Sequence, residues 1–330
     1  MPGEGMHEPM NSAISSTAAP PAIDTLAGET MGTTWSIRLV APHASMHALH
    51  DGVQMQLDRV VSQMSTWRDD SDLSGFNRAA AGSWVLLPEA LFAVLSCALG
   101  IAEASGGAFD PTVGPLVDLW GFGPQGRRSG IPDAAELAAA SAKIGWHRLA
   151  LRPDSREALQ PGGVQVDLSA IAKGYAVDLL AKDLRQRGIE NALVEVGGEL
   201  YGYGCKPDGT PWRVLVETDP DRDDEVPHIL RLSGKAVATS GDRWHRYENE
   251  GREYAHTLDP RTGKPVERAP VAVTVVADDA MRADAWATAL TVMGAEAGLA
   301  FARKNSLAAR FVAHGEAATA TPQFESYVDA

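Results

Sequence analysis

The stretch VAVTVVADDAMRADAWATAL (271–290) decides how the chain is read. VAVTVVA (271–277) has strand composition, and residues 281–293 follow as a helix, alanine-rich around Trp286. Within that helix Asp284 and Thr288 stand four apart. Positions i and i+4 share one helical face, so a carboxylate and a hydroxyl point at one spot. Both are oxygen donors, suited to a hard cation such as Mg²⁺ rather than to zinc. Two side-chain donors are too few for an all-protein cage, and magnesium commonly completes its shell with backbone oxygen, water and substrate phosphate. The competing reading is structural: an Asp near a helix start and a Thr bonding back to its own turn.

Working outward, TTWSIRLVA (33–41) reads as a strand, and residues 45–66 place Met46, Leu49, Val53, Leu57, Val60 and Met64 at helical steps. Pro88 to Ala104 is a second helix, closed by Gly106 and Gly107, and Asp133 to Ile144 a third. A short strand over 164–168 is expected to run into a helix from Ser169 to Arg187, stopped by Gly188. Strand signals then dominate in ALVEV, ELYGY, WRVLVET, HILRL and AVATS, followed by a hairpin turning at Asn249–Gly251 and a late strand, ARFVAH (309–314). Helices and strands mix without the regular alternation of a doubly wound sheet, which points to α+β. FDPTVGP (109–115) echoes LDPRTGKP (258–265), as paired half-domains facing a common cleft would. Residues 1–29, rich in Pro, Ser, Ala and Gly, are expected to form a flexible arm before a domain over 30–330. DPDRDDEVP (219–227) is expected to be a solvated loop.

A formal charge of −14 over 330 residues argues against a nucleic-acid binder, which needs concentrated Lys and Arg. Two cysteines, Cys97 and Cys205, make neither a disulfide scaffold nor a zinc site. No run has the length of a membrane span, and the N-terminal stretch lacks the basic and apolar regions of a signal peptide, so the expected location is the cytoplasm.

In VDLSAIAKGYAVDLL (166–180), early helical N–H groups can receive an anion, Lys173 can add positive charge, and Gly174 permits close approach of a ligand or neighbouring element. Taken alone, an Asp or Ser cap with a surface lysine is the preferred reading. Phe109 and Trp120, in SGGAFDPTVGPLVDLWGFGP (105–124), can flank a planar ligand or belong to the core, and Trp67 follows a helix. VEVGGELYGYG (194–204) puts Glu199 after a Gly-Gly without the spacing of a dinucleotide fingerprint. His256 stands where a hairpin strand ends, a place where loop residues often do chemistry, and His245 is an alternative. No GxSxG elbow or HExxH helix is present.

Taken together, GETMGTTWSI, STWRDDSDLSGFN, GAFDPTVGPLVDLWGFGP, VDLSAIAKGYAVD, VEVGGE, ATSGD, HTLDPRTGKP and ADAWATAL resemble the ApbE family of FAD:protein FMN transferases, from about Met31 to the final helices. The resemblance implies two intimately packed α/β subdomains with mixed sheets and FAD in the cleft between them. It implies Mg²⁺ held by Asp284 and Thr288 with backbone oxygen from Ala170 and Ala287, and FAD contacts from Met31, Trp67, Ala108, Phe109, Asp110, Asp167, Lys173 and Leu258. Some relatives carry Glu where Lys173 stands and Asp where Ala287 stands. The implied reaction moves the FMN part of FAD to a Thr or Ser hydroxyl of an acceptor flavoprotein and releases AMP. His256 is the implied base, with Asp259 shaping its loop or orienting it, and Asp110 and Glu199 as polar contacts. The implied acceptor segment resembles Asp-x-x-(Ser/Gly)-Ala-(Thr/Ser). A Mg²⁺-dependent FAD pyrophosphatase using water, and an FAD-binding protein without turnover, are the alternatives.

Overall fold

The structure, a computed structural model, describes residues 22–330 apart from 42–43, 127, 129, 217, 219–227, 242–245, 250–251, 268 and 330. The charged segment 219–227 and His245 therefore lie outside the described residues. In chain order the first strands are β1 (Asp24–Thr30), β2 (Thr33–Leu39), β3 (Ser83–Leu86), β4 (Leu151–Arg152), β5 (Glu157–Gln160), β6 (Ala192–Val196), β7 (Glu199–Tyr203), β8 (Trp212–Leu215) and β9 (Ile229–Leu232). They continue with β10 (Lys235–Ser240), β11 (Arg246–Asn249), β12 (Arg252–Ala255), β13 (Leu258–Asp259), β14 (Lys264–Pro265), β15 (Ala272–Ala277), β16 (Ala308–Val312) and β17 (Thr319–Ala320). The helices are α1 (Met46–Met64), α2 (Asp72–Asn77), α3 (Glu89–Ala104), α4 (Gly114–Leu119), α5 (Ala134–Ser141), α6 (Ala172–Gln186), α7 (Ala280–Met293), α8 (Ala295–Lys304) and α9 (Pro322–Glu325).

One sheet of eight strands, ordered β1-β2-β6-β7-β10-β15-β16-β17, organises the molecule. The α+β class holds, while every strand pairing among the described residues is antiparallel where mixed sheets are expected. The apolar run of β15 is continuous because both sheet faces are covered. Val273 and Val275 pack with Leu290 of α7 and Phe311 of β16, and Val276 packs on the opposite face with Trp212, Leu230 and Phe324. Among the described residues no helix is long and apolar enough to cross a membrane.

Residues 1–21 of the expected arm lie outside the described residues, and its last part is a strand. Residues 24–30 form β1, paired along its whole length with β2. Gly28 belongs there for a packing reason: a Cβ would lie 2.7 Å from the Trp35 indole nitrogen. The small residues make room for an aromatic ring instead of marking a linker. At the β1–β2 turn, Met31 (φ 50°) and Gly32 (φ 71°) both take the left-handed conformation of a tight hairpin turn.

The expected strand over 164–168 is replaced by irregular chain. Asn77 supplies its pairing, accepting from Val166 N at 2.8 Å and donating to Val166 O at 2.9 Å, and Asp167 N donates to Pro111 O at 2.7 Å. The following helix starts at Ala172 instead of Ser169, because Ser169 N donates to the Asp167 carboxylate at 2.8 Å and Leu168 O closes a turn onto Ile171 N and Ala172 N.

Helices α6 and α7 hold each other's ends. Asp178 of α6 accepts from Ala280 N (2.8 Å) and Met281 N (2.9 Å) of α7, and Asp284 of α7 accepts from Gly174 N of α6 (3.1 Å). Each carboxylate satisfies otherwise orphaned N–H groups at the partner's positive end. The exchange needs close contact, and Gly174 provides it: a Cβ there would stand 2.2 Å from Ala280 O. Ile171 at the α6 N-cap makes no side-chain cap bond, so Asp284 does work that a neighbouring Ser or Asp usually does.

Gly174→Ala is predicted to lower stability by several kcal/mol, measured by urea unfolding, because backbone must move to admit the methyl; an unchanged midpoint would contradict this contact. Burial pushes the Asp178 carboxyl up to about 6, against the two N–H bonds that favour its charge. A raised carboxyl binds its proton more tightly in the folded state, so its contribution falls as pH rises from about 4 to about 6. Asp178→Asn should flatten the stability profile in that window.

Candidate active site

A cavity of about 620 Å³ opens where the β1–β2 turn, the loop around α4, the start of α6, the end of β10, the 256–260 segment and one face of α7 converge. Met31, Trp67, Ala108, Phe109, Asp110, Asp167, Lys173, His256 and Leu258 all line it, as do Ala170, Asp284 and Thr288. The sequence spreads these residues over more than 250 positions, and the fold gathers them on one wall system. Ala287 is the exception: it is buried against Val273, Val275 and Leu290, and its carbonyl accepts from the Thr291 hydroxyl at 2.8 Å.

Thr288 departs from the structural reading of its helix. Thr291 bonds back to its own turn, whereas the Thr288 hydroxyl makes no hydrogen bond among the described residues. Asp284, 5% exposed, engages Oδ2 with Gly174 N, and its Oδ1 has no hydrogen bond among the described residues. A carboxylate oxygen and a hydroxyl one turn apart thus face the cavity with acceptor capacity unspent. That pair fits a hard cation completed by ligand oxygens. Among the described residues no cluster of three His, Cys, Asp or Glu is placed to hold a metal ion by itself.

The charges around this pair are strongly coupled. Lys173, the second residue of α6, reaches Glu199 Oε1 at 2.5 Å. Burial alone works against the Lys173 ammonium, but Asp284 and Glu199 outweigh it and hold its proton more firmly than usual. Burial pushes Asp284 up, countered by Lys173 and the Gly174 N–H. Burial and Asp284 likewise push Glu199 up, countered by Lys173. With Lys173 engaged by Glu199, the Asp284 side of this corner has room for a further cation.

Around this polar corner the cavity is apolar and aromatic. Trp67 stands at the rim, 66% exposed, while Phe109 is buried in the wall. Trp120 is a core residue instead of a stacking platform: it packs with Leu116, Ala140 and Leu258, and its indole N–H donates to Gly263 O at 2.9 Å. Gly121 (φ 78°) turns the chain after α4, and Phe122 reaches the cavity in its place. Asp110 is structural in its hydrogen bonds, accepting from Thr112 N (2.8 Å), Thr112 Oγ1 (2.6 Å) and Trp146 N (3.2 Å). Asp259 holds the Arg261 guanidinium and shapes its own turn. Thr239, Ser240 and Thr257 also line the cavity. The Ser-Gly turn in ATSGD is the sequence signal that marks the first two.

The ApbE family model matches residues 31–311. The chain belongs to the ApbE family. It is 38% identical over 323 residues to the FAD:protein FMN transferase of Klebsiella pneumoniae, covering 95% of this chain and 92% of that protein. Among solved structures it is similar to the apo flavinyl transferase ApbE of Pseudomonas stutzeri (TM-score 0.87, 38% identity, 94% of this chain and 98% of the other). The flavin transferase ApbE of Vibrio cholerae is also similar (TM-score 0.86, 36% identity, 93% and 100%).

Thr288→Val removes the hydroxyl and nearly keeps the shape. Because that hydroxyl has no internal partner, the apoprotein should lose less than about 1 kcal/mol of stability. Thr291→Val, which breaks the bond to Ala287 O, should cost about 1 kcal/mol or more. Equal losses in paired thermal melts would contradict the difference in internal bonding between the two hydroxyls.

Proposed function

We propose that this chain transfers the FMN moiety of FAD to a Thr or Ser hydroxyl of an acceptor flavoprotein, with Mg²⁺ at Asp284, Thr288 and the Ala170 carbonyl. The observation that carries this reading is the unspent Asp284–Thr288 oxygen pair beside Lys173, in an aromatic cavity large enough for part of a dinucleotide. Mg²⁺ there supplies electrostatic neutralisation of the pyrophosphate oxygens. Lys173 adds fixed positive charge, and Trp67, Phe109, Met31 and Leu258 provide the apolar surfaces that hold and orient the flavin nucleotide. Ala287, packed into the core, contributes no side-chain donor.

His256 accepts the proton of the acceptor hydroxyl as its oxygen attacks the FMN-side phosphorus. A new P–O ester bond forms, the bridging P–O bond breaks, and AMP departs with the bridging oxygen. The ring suits this role because an imidazole nitrogen can take up a proton, and His256 lies on the cavity wall directly after β12. The acceptor segment resembles Asp-x-x-(Ser/Gly)-Ala-(Thr/Ser), presented at the cavity mouth.

The test is intact-mass spectrometry of such a peptide incubated with the protein, FAD and Mg²⁺, with AMP measured in parallel. The expected result is one FMN adduct per AMP, lost in EDTA and in Asp284→Ala, and reduced at least 100-fold in His256→Ala while FAD binding remains. AMP with free FMN and no adduct would make the chain a pyrophosphatase. Bound FAD with neither product would make it a binding protein.

A further inference from the structure

Glu199 carries an unanswered demand. The residue is only 3% exposed, it lines the cavity, and it begins β7 directly after the Gly197–Gly198 turn. Oε1 is taken by Lys173 at 2.5 Å, but Oε2 is buried and has no hydrogen-bond partner. Leaving such an oxygen unserved is costly, and buried polar atoms in folded proteins nearly always have a partner. The Lys173 chain is packed closely beside Glu199, since a Cβ on Gly197 (φ 61°) would lie 3.0 Å from Lys173 Cδ and 2.9 Å from Thr33 Cγ2. A carboxylate that swung away to find another donor would give up its ion pair with Lys173.

Resting on the flavin-nucleotide reading above, we propose that Glu199 Oε2 is the binding point for a hydroxyl of the ribityl chain, making Glu199 a specificity residue for the polyol of the substrate. Three features select a hydroxyl. A further ammonium is not called for, since Lys173 already supplies the cation at this carboxylate. A phosphate oxygen would meet like charge. The proton affinity of Glu199 is pulled up by burial and Asp284 and down by Lys173, and a hydroxyl serves Oε2 in either state, by donating to the carboxylate or accepting from the acid. The location agrees: Glu199 neighbours the Lys173–Asp284 corner assigned to the phosphates, and the ribityl chain is what joins those phosphates to the ring.

Neutral probes separate this contact from phosphate electrostatics. Riboflavin carries the ribityl hydroxyls, and lumiflavin has the same ring with a methyl in their place. Wild-type protein should bind riboflavin roughly 3- to 10-fold tighter than lumiflavin by fluorescence titration, the size of one net hydrogen bond. Glu199→Met should abolish that preference with lumiflavin affinity unchanged, and Glu199→Gln, which keeps hydrogen-bonding capacity, should retain it. A preference that survives in Glu199→Met, or is absent in the wild type, overturns the assignment. Loss of lumiflavin binding in Glu199→Met would assign the residue to cavity integrity and likewise overturn it. FAD binding by the wild type is measured alongside: its absence defeats the flavin reading itself, whereas its presence with an unaltered preference defeats only the role of Glu199.

Discussion

The exchange of carboxylates between α6 and α7 is the constraint on which the rest of the molecule depends. Asp178 closes the N-terminus of α7, and Asp284 answers at the N-terminus of α6. Neither helix has room to rotate, because Gly174 brings the α6 backbone against Ala280. The arrangement fixes Lys173 and Thr288 on the same wall, one from each helix. A structural need, the capping of two helix ends, thereby places one carboxylate in a buried position that also faces a cavity. Burial of that charge is unfavourable by itself, and Lys173 together with the Gly174 N–H offsets part of the cost.

The surrounding sheet explains how distant segments reach this wall. Turns at the ends of β1, β6 and β10 deliver Met31, Gly197 and Ser240 to the same opening. The backbone at Met31 is held in the left-handed region, an uncommon conformation for a side-chain-bearing residue, at the point where the hairpin meets the cavity. The polar corner and the aromatic rim have different origins. The corner is made by the start of α6, one face of α7 and a Gly-Gly turn, and the rim by the loops around α2 and α4.

Much of this was legible in the sequence wherever one local rule acts alone. The spacing in α1 and the capping Asp133 before α5 are local, and both elements form close to their expected bounds. The Asp284–Thr288 pair is legible for the same reason, since four-residue spacing is a property of the helix itself. What resisted reading depends on partners far along the chain. Asn77 takes over the hydrogen bonds that a strand at 164–168 would have made, 89 residues away. Gly28 looks like linker until Trp35 is laid across it. Trp120 and Phe122 are equivalent by composition, and the bond from the Trp120 indole to Gly263 O joins residues 143 apart. Capping of α6 by Asp284 spans 110 residues, and no pattern within either helix announces it.

The central proposal is that Asp284 and Thr288, on the face of α7 turned to the start of α6, form half of a metal site and that the diphosphate of the substrate supplies the other half. Calorimetric titration of Mg²⁺ into the protein, with and without saturating FAD, tests it most directly. Two unspent side-chain oxygens should bind the cation weakly alone, and FAD should tighten it at least 10-fold, with Mg²⁺ tightening FAD by the same factor, as linkage requires. Mg²⁺ affinity that is identical with and without FAD would contradict the account.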